Sequence, residues 1–314
     1  MEYVVLVEEL ARVDGSISLT VAAHNSLCAN HISLFGSEEQ KRRYLPALTA
    51  GGCLGAWGLT EPESGSDASG MKSTAVRSGA HYVLNGSKNF ITNASLAATF
   101  VILAVTDRSA GNKGVTAFIL ERGTPGFSVG RSLKKSGWLS SDTAELVFDQ
   151  CRVPAANLLG EEHRGFYAIM KNFQTERLAL GSMAIGHCLT ALDLTLRYVH
   201  DRKAFGAVLW DKQAIRQRLS MLAARVQAAR QLLYHCAWLV DEQRDAVAEI
   251  SMLKALTGEL VNEVTYTCQQ FHGGMGYMRE SPIERLVRDA RVLAIGGGAT
   301  EVMLEEVAKR IAVP

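Results

Sequence analysis

A glutamate sits in an otherwise apolar helical stripe in the second half of the chain. Along 163–199, Glu176 has Ile169, Phe173, Ala179, Leu180 and Met183 at spacings of three, four and seven residues, all on its own helical face. An ionised carboxylate without a partner is costly there, so its pKa is expected to rise. Arg177 is the nearest base in sequence, but adjacent helical residues point about 100° apart and pair poorly. The pattern therefore reads as a general base poised near neutrality, set against a structural ion pair.

Two glycine clusters invite a different chemistry. "GGMGY" (273–277) and "GGG" (296–298) look like nucleotide-binding loops, yet each follows a segment that reads as helix. A dinucleotide fingerprint needs a strand before it and a helix after it. Helix termination by left-handed glycines is the plain reading, and a backbone brought close to a flat or anionic ligand is the other. A third stretch, "WGLTEPESGSDASG" (57–70), is dense in hydroxyls and turn formers. Its plain reading is a polar loop. Trp57 and Leu59 alternating with Thr60 put an apolar face beside a donor, which suits a large amphipathic cofactor.

These residues must be carried by elements, and the chain changes character twice. Residues 1–52 read helical, with Val4, Val7, Leu10 and Val13 at helical spacing and Ser37 before two acids as an N-cap. Residues 53–158 read as short strands: "AHYVLNGSKNFITNA" holds two β-rich runs around Asn85-Gly86, a hairpin signal, and "TFVILAVT", "GVTAFILE", "GFSVGRSL" and "AELVFDQCRV" follow. Residues 159–314 hold three long proline-free helical runs, which implies a bundle. The expected fold is α+β: a partial N-terminal helical domain (1–52), a middle antiparallel β-barrel domain (53–158) and a C-terminal four-helix-bundle domain (159–314).

The totals exclude several classes. With 314 residues and a net charge of +1, no global field recruits nucleic acid or an anionic membrane. Apolar runs such as "FVILAV" are too short to span a bilayer, and Glu2 with no basic region after it argues against a signal peptide. Six scattered cysteines without a CxxC pair read as buried thiols in a reducing compartment, so a cytoplasmic protein is expected. No HxxxH or HExxH spacing occurs, and no metal site is expected.

Three stretches together resemble the acyl-CoA dehydrogenase family. "GLTEPESGSDASG" (58–70) is similar to the family's first signature, "QFHGGMGYMRESPIERLVRD" (270–289) to its second, and "DRKAFG" (201–206) followed by Gln213 to the helix start that grips FAD across a subunit interface. The resemblance covers nearly the whole chain and implies FAD as cofactor. It places Trp57, Leu59, Thr60 and Ser66 on the flavin or the acyl-thioester, and Phe90, Ile91 and Thr92 against the isoalloxazine ring. It also places Arg202, Phe205, Gln213, Gln270, Gly274 and Glu301 on the rest of FAD. Ser66, Gln174, Arg177 and Gly296 fall toward the acyl-CoA.

Many family members carry their catalytic glutamate after "RDA", where this chain has Gly297; a smaller set, of the isovaleryl and long-chain type, carries it in a Glu-Arg-Leu context, which "QTERLAL" supplies at Glu176. The resemblance implies α,β-dehydrogenation of a fatty or branched acyl-CoA, with Glu176 taking the α-proton, the Gly297 N–H polarising the thioester carbonyl and flavin N5 accepting hydride. An electron-transfer flavoprotein as acceptor and a homotetramer, or a dimer, are implied as well. Ala299 departs from the usual Thr, which removes one flavin or ribose hydrogen bond. Relatives begin with further N-terminal helices, so an incomplete active-site wall is expected. The rivals are a flavin oxidase or monooxygenase of the same fold and a truncated, non-catalytic paralogue acting as a subunit.

Overall fold

Helices come first in the computed structural model, which describes residues 1–311. After α1 (Glu2–Val13), α2 (Gly15–Ala22) runs through a π-helical stretch (Ala23–Ala29) into α3 (Asn30–Phe35), and α4 (Glu38–Thr49) follows. Ser37 starts α4 by a reciprocal capping box: its hydroxyl accepts the Gln40 N–H at 3.2 Å and the Gln40 side chain accepts the Ser37 N–H at 3.0 Å. Val4 and Val7 are buried as their spacing predicts, but Val13 is 73% exposed, because α1 ends there and Asp14 is extended.

The strands are β1 (Leu54–Gly58), β2 (Thr74–Ser78), β3 (His81–Thr92), β4 (Ala97–Val105), β5 (Val115–Glu121), β6 (Phe127–Ser132), β7 (Thr143–Pro154) and β8 (Leu158–Leu159). They form one mixed sheet in the order β6-β7-β3-β2-β4-β5-β8, with β1 beside β4. The expected closed antiparallel barrel is corrected in two respects. The strand order is an open path among the described residues, and both β1 and β2 lie parallel to β4. The expected hairpin is corrected too: β3 runs straight through Asn85-Gly86, and the turn falls at Gly79-Ala80, where Ser78 pairs with His81. Gly86 instead marks a bulge against β7, at φ 136, where an added Cβ would stand 2.5 Å from the Ser73 hydroxyl.

β4 explains why "FVILAV" showed no alternation: Phe100, Ile102 and Ala104 enter one core, with Tyr82, Leu84, Phe118 and Leu146, while Val101, Leu103 and Val105 enter the other, with Cys28, Ile32, Tyr44, Leu48 and Ile169. A strand covered on both faces is apolar throughout.

α5 (Gly165–Asp201) follows, then a small hairpin of β9 (Lys203–Ala204) and β10 (Ala207–Val208), then α6 (Gln213–Asp241), α7 (Val247–His272), α8 (Pro282–Ala290) and α9 (Thr300–Ala308). By length and hydropathy α5 passes the test for a membrane span, which the sequence reading missed, but 78% of its apolar window is buried inside the protein. Compact packing sorts the three sequence regions into two units. A sheet unit holds Leu19–Lys134 and Ser140–Glu176; a helical unit holds Met1–Ser18, Lys135–Leu139 and the residues from Arg177 on.

In the helical unit α5 meets α1 so closely at Gly186 that a Cβ there would lie 2.4 Å from the Glu8 carbonyl. Arg230 of α6 clamps the fully buried Glu8 carboxylate at 2.6 Å, with the Tyr234 hydroxyl as a third donor. His187 of α5 is fully buried, and neither ring nitrogen has a hydrogen-bond partner among the described residues. Burial, with Arg285 nearby, pushes its pKa down to about 4. Between the ordinary value of 6.5 and about 4, the unfolded chain binds a proton here that the folded chain refuses, so stability falls on acidification through that window. His187→Gln should flatten the decline of the melting temperature between pH 6.5 and 4, measured by differential scanning fluorimetry; an unchanged slope would remove His187 as a source of acid sensitivity.

Candidate active site

In the sheet unit β1 delivers the hydroxyl-rich loop. Glu61 and Ser64 form an isolated bridge, the Ser64 hydroxyl donates to the Asp67 carbonyl at 2.7 Å, and Asp67 caps the Ser69 N–H at 3.1 Å. Thr60 is half-buried and Ser66 exposed. The side chains of Trp57 and Leu59 are buried in the core. The Trp57 indole donates to His31 Nδ1 at 3.1 Å and packs 5.4 Å from Phe173. His31 is fully buried and its pKa is driven down to about 4 by burial, so it accepts this bond as a neutral ring.

Phe90, Ile91 and Thr92 occupy a break in β3. Register with β7 shifts between Lys88 and Ile91, Phe90 sits at φ 60 with its ring 65% exposed, and Ile91 turns inward. The Glu61 carboxylate accepts from Lys88 Nζ at 2.7 Å and from the N–H groups of Lys72 and Ser73. Burial would raise the Glu61 pKa, but Lys88 and these bonds hold it below the usual carboxylate value. Burial pulls Lys88 down to about 8 against Glu61, so both are charged at neutral pH. Neither residue stood out in the sequence, where a charge next to a strand reads as surface.

The first turns of α5 carry Gln174 and Glu176. Asn172, fully buried, donates to the Leu27 carbonyl at 3.0 Å and accepts from Asn30 at 2.9 Å, which fixes this stretch against the π-helical segment. Gln174 Nε2 donates back to the Met170 carbonyl at 3.2 Å, while its Oε1 is buried without a partner among the described residues. Glu176 is half-buried, and its Oε2 is shielded from solvent.

In the helical unit, "DRKAFG" is not a helix start. Its residues form the β9–β10 hairpin, with Phe205 and Gly206 both at positive φ (53 and 77), the two-residue turn that matches strand twist. Gln213 is the first residue of α6. Arg202, Phe205 (95%), Gln213, Gln270 and Glu301 are exposed, and no atom approaches the Cβ direction of Gly274 within 4 Å. Gly273 ends α7 at φ 59, the helix-terminating role foreseen for it.

The second glycine cluster is a braced turn before α9: Gly297 (φ 66) and Gly298 (φ 108) adopt conformations that favour glycine. Arg177 Nε donates to the Gly297 carbonyl at 3.4 Å, and the buried Lys254 donates to the carbonyls of Leu293 at 2.7 Å and Gly298 at 3.0 Å. Lys254 was also missed, since a lysine on a periodic helix reads as a solvated residue. Gly296 is half-buried.

Models of the acyl-CoA dehydrogenase N-terminal, middle and C-terminal domains match residues 1–52, 56–151 and 163–312. An acyl-CoA dehydrogenase of Bacillus subtilis is 39% identical over 96% of this chain and 80% of its own length. The caffeyl-CoA reductase–Etf complex subunit CarC of Acetobacterium woodii is 40% identical over the same shares. The solved structure of butyryl-CoA dehydrogenase from Megasphaera elsdenii superposes with a TM-score of 0.97 at 40% identity, covering 98% of this chain and 81% of that one. The chain belongs to the acyl-CoA dehydrogenase family. It is an FAD-dependent oxidoreductase acting on the CH–CH bond of an acyl-CoA.

The residues present fit that cofactor. An exposed aromatic ring and a half-buried threonine hydroxyl on β3 suit a flat heteroaromatic. An exposed guanidinium, two exposed carboxamides and an open Gly274 backbone suit a pyrophosphate and an adenine.

Trp57→Phe should lower stability by about 1–3 kcal/mol, because the buried His31 acceptor loses its donor. Chemical denaturation checks this, and a change within error would mean that His31 finds another partner.

Proposed function

We propose that the protein converts a fatty or branched acyl-CoA to the trans-2-enoyl-CoA with Glu176 as the base. The observation that carries this reading is the shielding of Glu176 Oε2 on a helix where Ile169, Ala179 and Met183, at its own helical spacings, are all fully buried. Glu176 takes the α-proton. The Gly297 N–H polarises the thioester carbonyl as enolate charge develops, from a turn that Arg177 and Lys254 hold by its carbonyls. Gln174 Oε1 is a buried acceptor suited to an amide N–H of the CoA arm. FAD, when bound, supplies the acceptor for the β-hydride.

An electron-transfer flavoprotein is the proposed redox partner, supported by the Etf complex named for the Acetobacterium woodii relative. Because that relative is named a reductase, both reaction directions belong in the assay. We further propose a homotetramer, on the exposure of Arg202, Phe205 and Gln270, and a cytoplasmic setting, on six free thiols.

Glu176→Gln should lower kcat by about 10²–10⁴-fold with FAD content unchanged. The readout is anaerobic flavin bleaching with short, long and branched acyl-CoAs; near-normal turnover would remove Glu176 as the base. Arg202→Ala should lower the flavin-to-protein ratio after gel filtration, and an unchanged ratio would count against its place on FAD.

A further inference from the structure

Lys88 and Glu61 bring opposite charges into the interior of the sheet unit, at 0% and 5% side-chain exposure. The Lys88 ammonium donates to Glu61 Oε1 at 2.7 Å and to the Leu59 carbonyl at 3.1 Å. The carboxylate in turn accepts the Lys72 N–H at 2.6 Å and the Ser73 N–H at 3.0 Å, which latches the far end of the 61–73 loop. Beside the pair, the Asn89 N–H donates to the Thr60 carbonyl at 2.8 Å. Residues 88 and 89 of β3 are thus stitched to residues 59, 60 and 61. Space for the lysine stem comes from Gly58, where a Cβ would lie 3.3 Å from Lys88 Cγ and 2.7 Å from Ile102 Cδ1.

Stability alone does not explain such a pair, because well-packed apolar residues in its place are often as stable or more so. Charged hydrogen bonds add direction and fixed distance. Both stitched segments are those assigned to the flavin: Leu59 and Thr60 on one side, Phe90, Ile91 and Thr92 on the other. β3 also loses register with β7 just beyond Lys88, so the sheet ladder does not by itself fix the height of the Phe90 bulge.

We propose that the Lys88–Glu61 pair is a positioning device for the cofactor, setting the separation between the Thr60 segment and the Phe90 bulge at which FAD is held. This rests on the reading that the chain binds FAD through those two segments.

The test compares wild type with Lys88→Met, Lys88→Arg and the double variant Lys88→Met with Glu61→Gln. The double variant removes both charges and so avoids leaving a buried carboxylate uncompensated. Val153→Ala, in the same sheet core, serves as a destabilising control. FAD affinity of the apoprotein is measured by flavin fluorescence titration, alongside the long-wavelength flavin absorption band and the melting temperature. The double variant should remain folded, bind FAD about tenfold or more weakly and shift the flavin band. Lys88→Arg should recover part of both, and Val153→Ala should lower the melting temperature without moving either. A folded double variant with wild-type affinity and spectrum overturns the proposal, as does a Val153→Ala control that loses affinity and shifts the band equally. A wild type that takes up no FAD overturns the flavoprotein reading itself, a result separate from any ranking among the variants.

Discussion

A lysine ammonium held 2.7 Å from a glutamate carboxylate, with almost no solvent on either, is the interaction that ties the 59–61 segment of the sheet unit to β3. Desolvating two ions is repaid only when their remaining donors and acceptors are also satisfied. Here the Leu59 carbonyl and the N–H groups of Lys72 and Ser73, at the two ends of the 59–73 segment, complete the set. The charges therefore pin both ends of the hydroxyl-rich loop to β3. The helical unit uses the same physics at its glycine turn, where Lys254 donates to the carbonyls of Leu293 and Gly298 and Arg177 to that of Gly297.

Much of this was legible in the sequence, for stated reasons. Ser37 followed by acids marks a helix start, and the structure closes a full capping box there. Glu176 stood out because a carboxylate interrupts an apolar stripe, of which Ile169, Ala179, Leu180 and Met183 are buried and Phe173 is half-buried. What failed did so because a local signal had a nonlocal cause. Asn85-Gly86 has turn chemistry, yet Gly86 is needed for the approach of Ser73 from a neighbouring segment. "FVILAV", by contrast, reads correctly as a strand although both faces of β4 are covered and it shows no alternation.

The residues that escaped notice are the buried polar ones. Lys88, Lys254 and His31 are types usually found in water, and no spacing rule distinguishes a solvated lysine from one buried among carbonyls. Only tertiary contacts reveal which of them is interior. His31 illustrates the consequence: burial keeps its ring neutral at a pH where free imidazole titrates, and the neutral ring accepts the indole N–H.

The absent side chain at residue 58 couples two positions thirty places apart in their history. A methyl introduced there would stand 2.7 Å from the Ile102 terminal methyl and 3.3 Å from the lysine stem, so the isoleucine must swing aside and the stem must yield slightly before this glycine can be replaced. A lineage that discards the lysine leaves a hole that a larger residue at 58 could fill. The two sites are therefore coupled through the space they share, with the isoleucine of β4 as a third party.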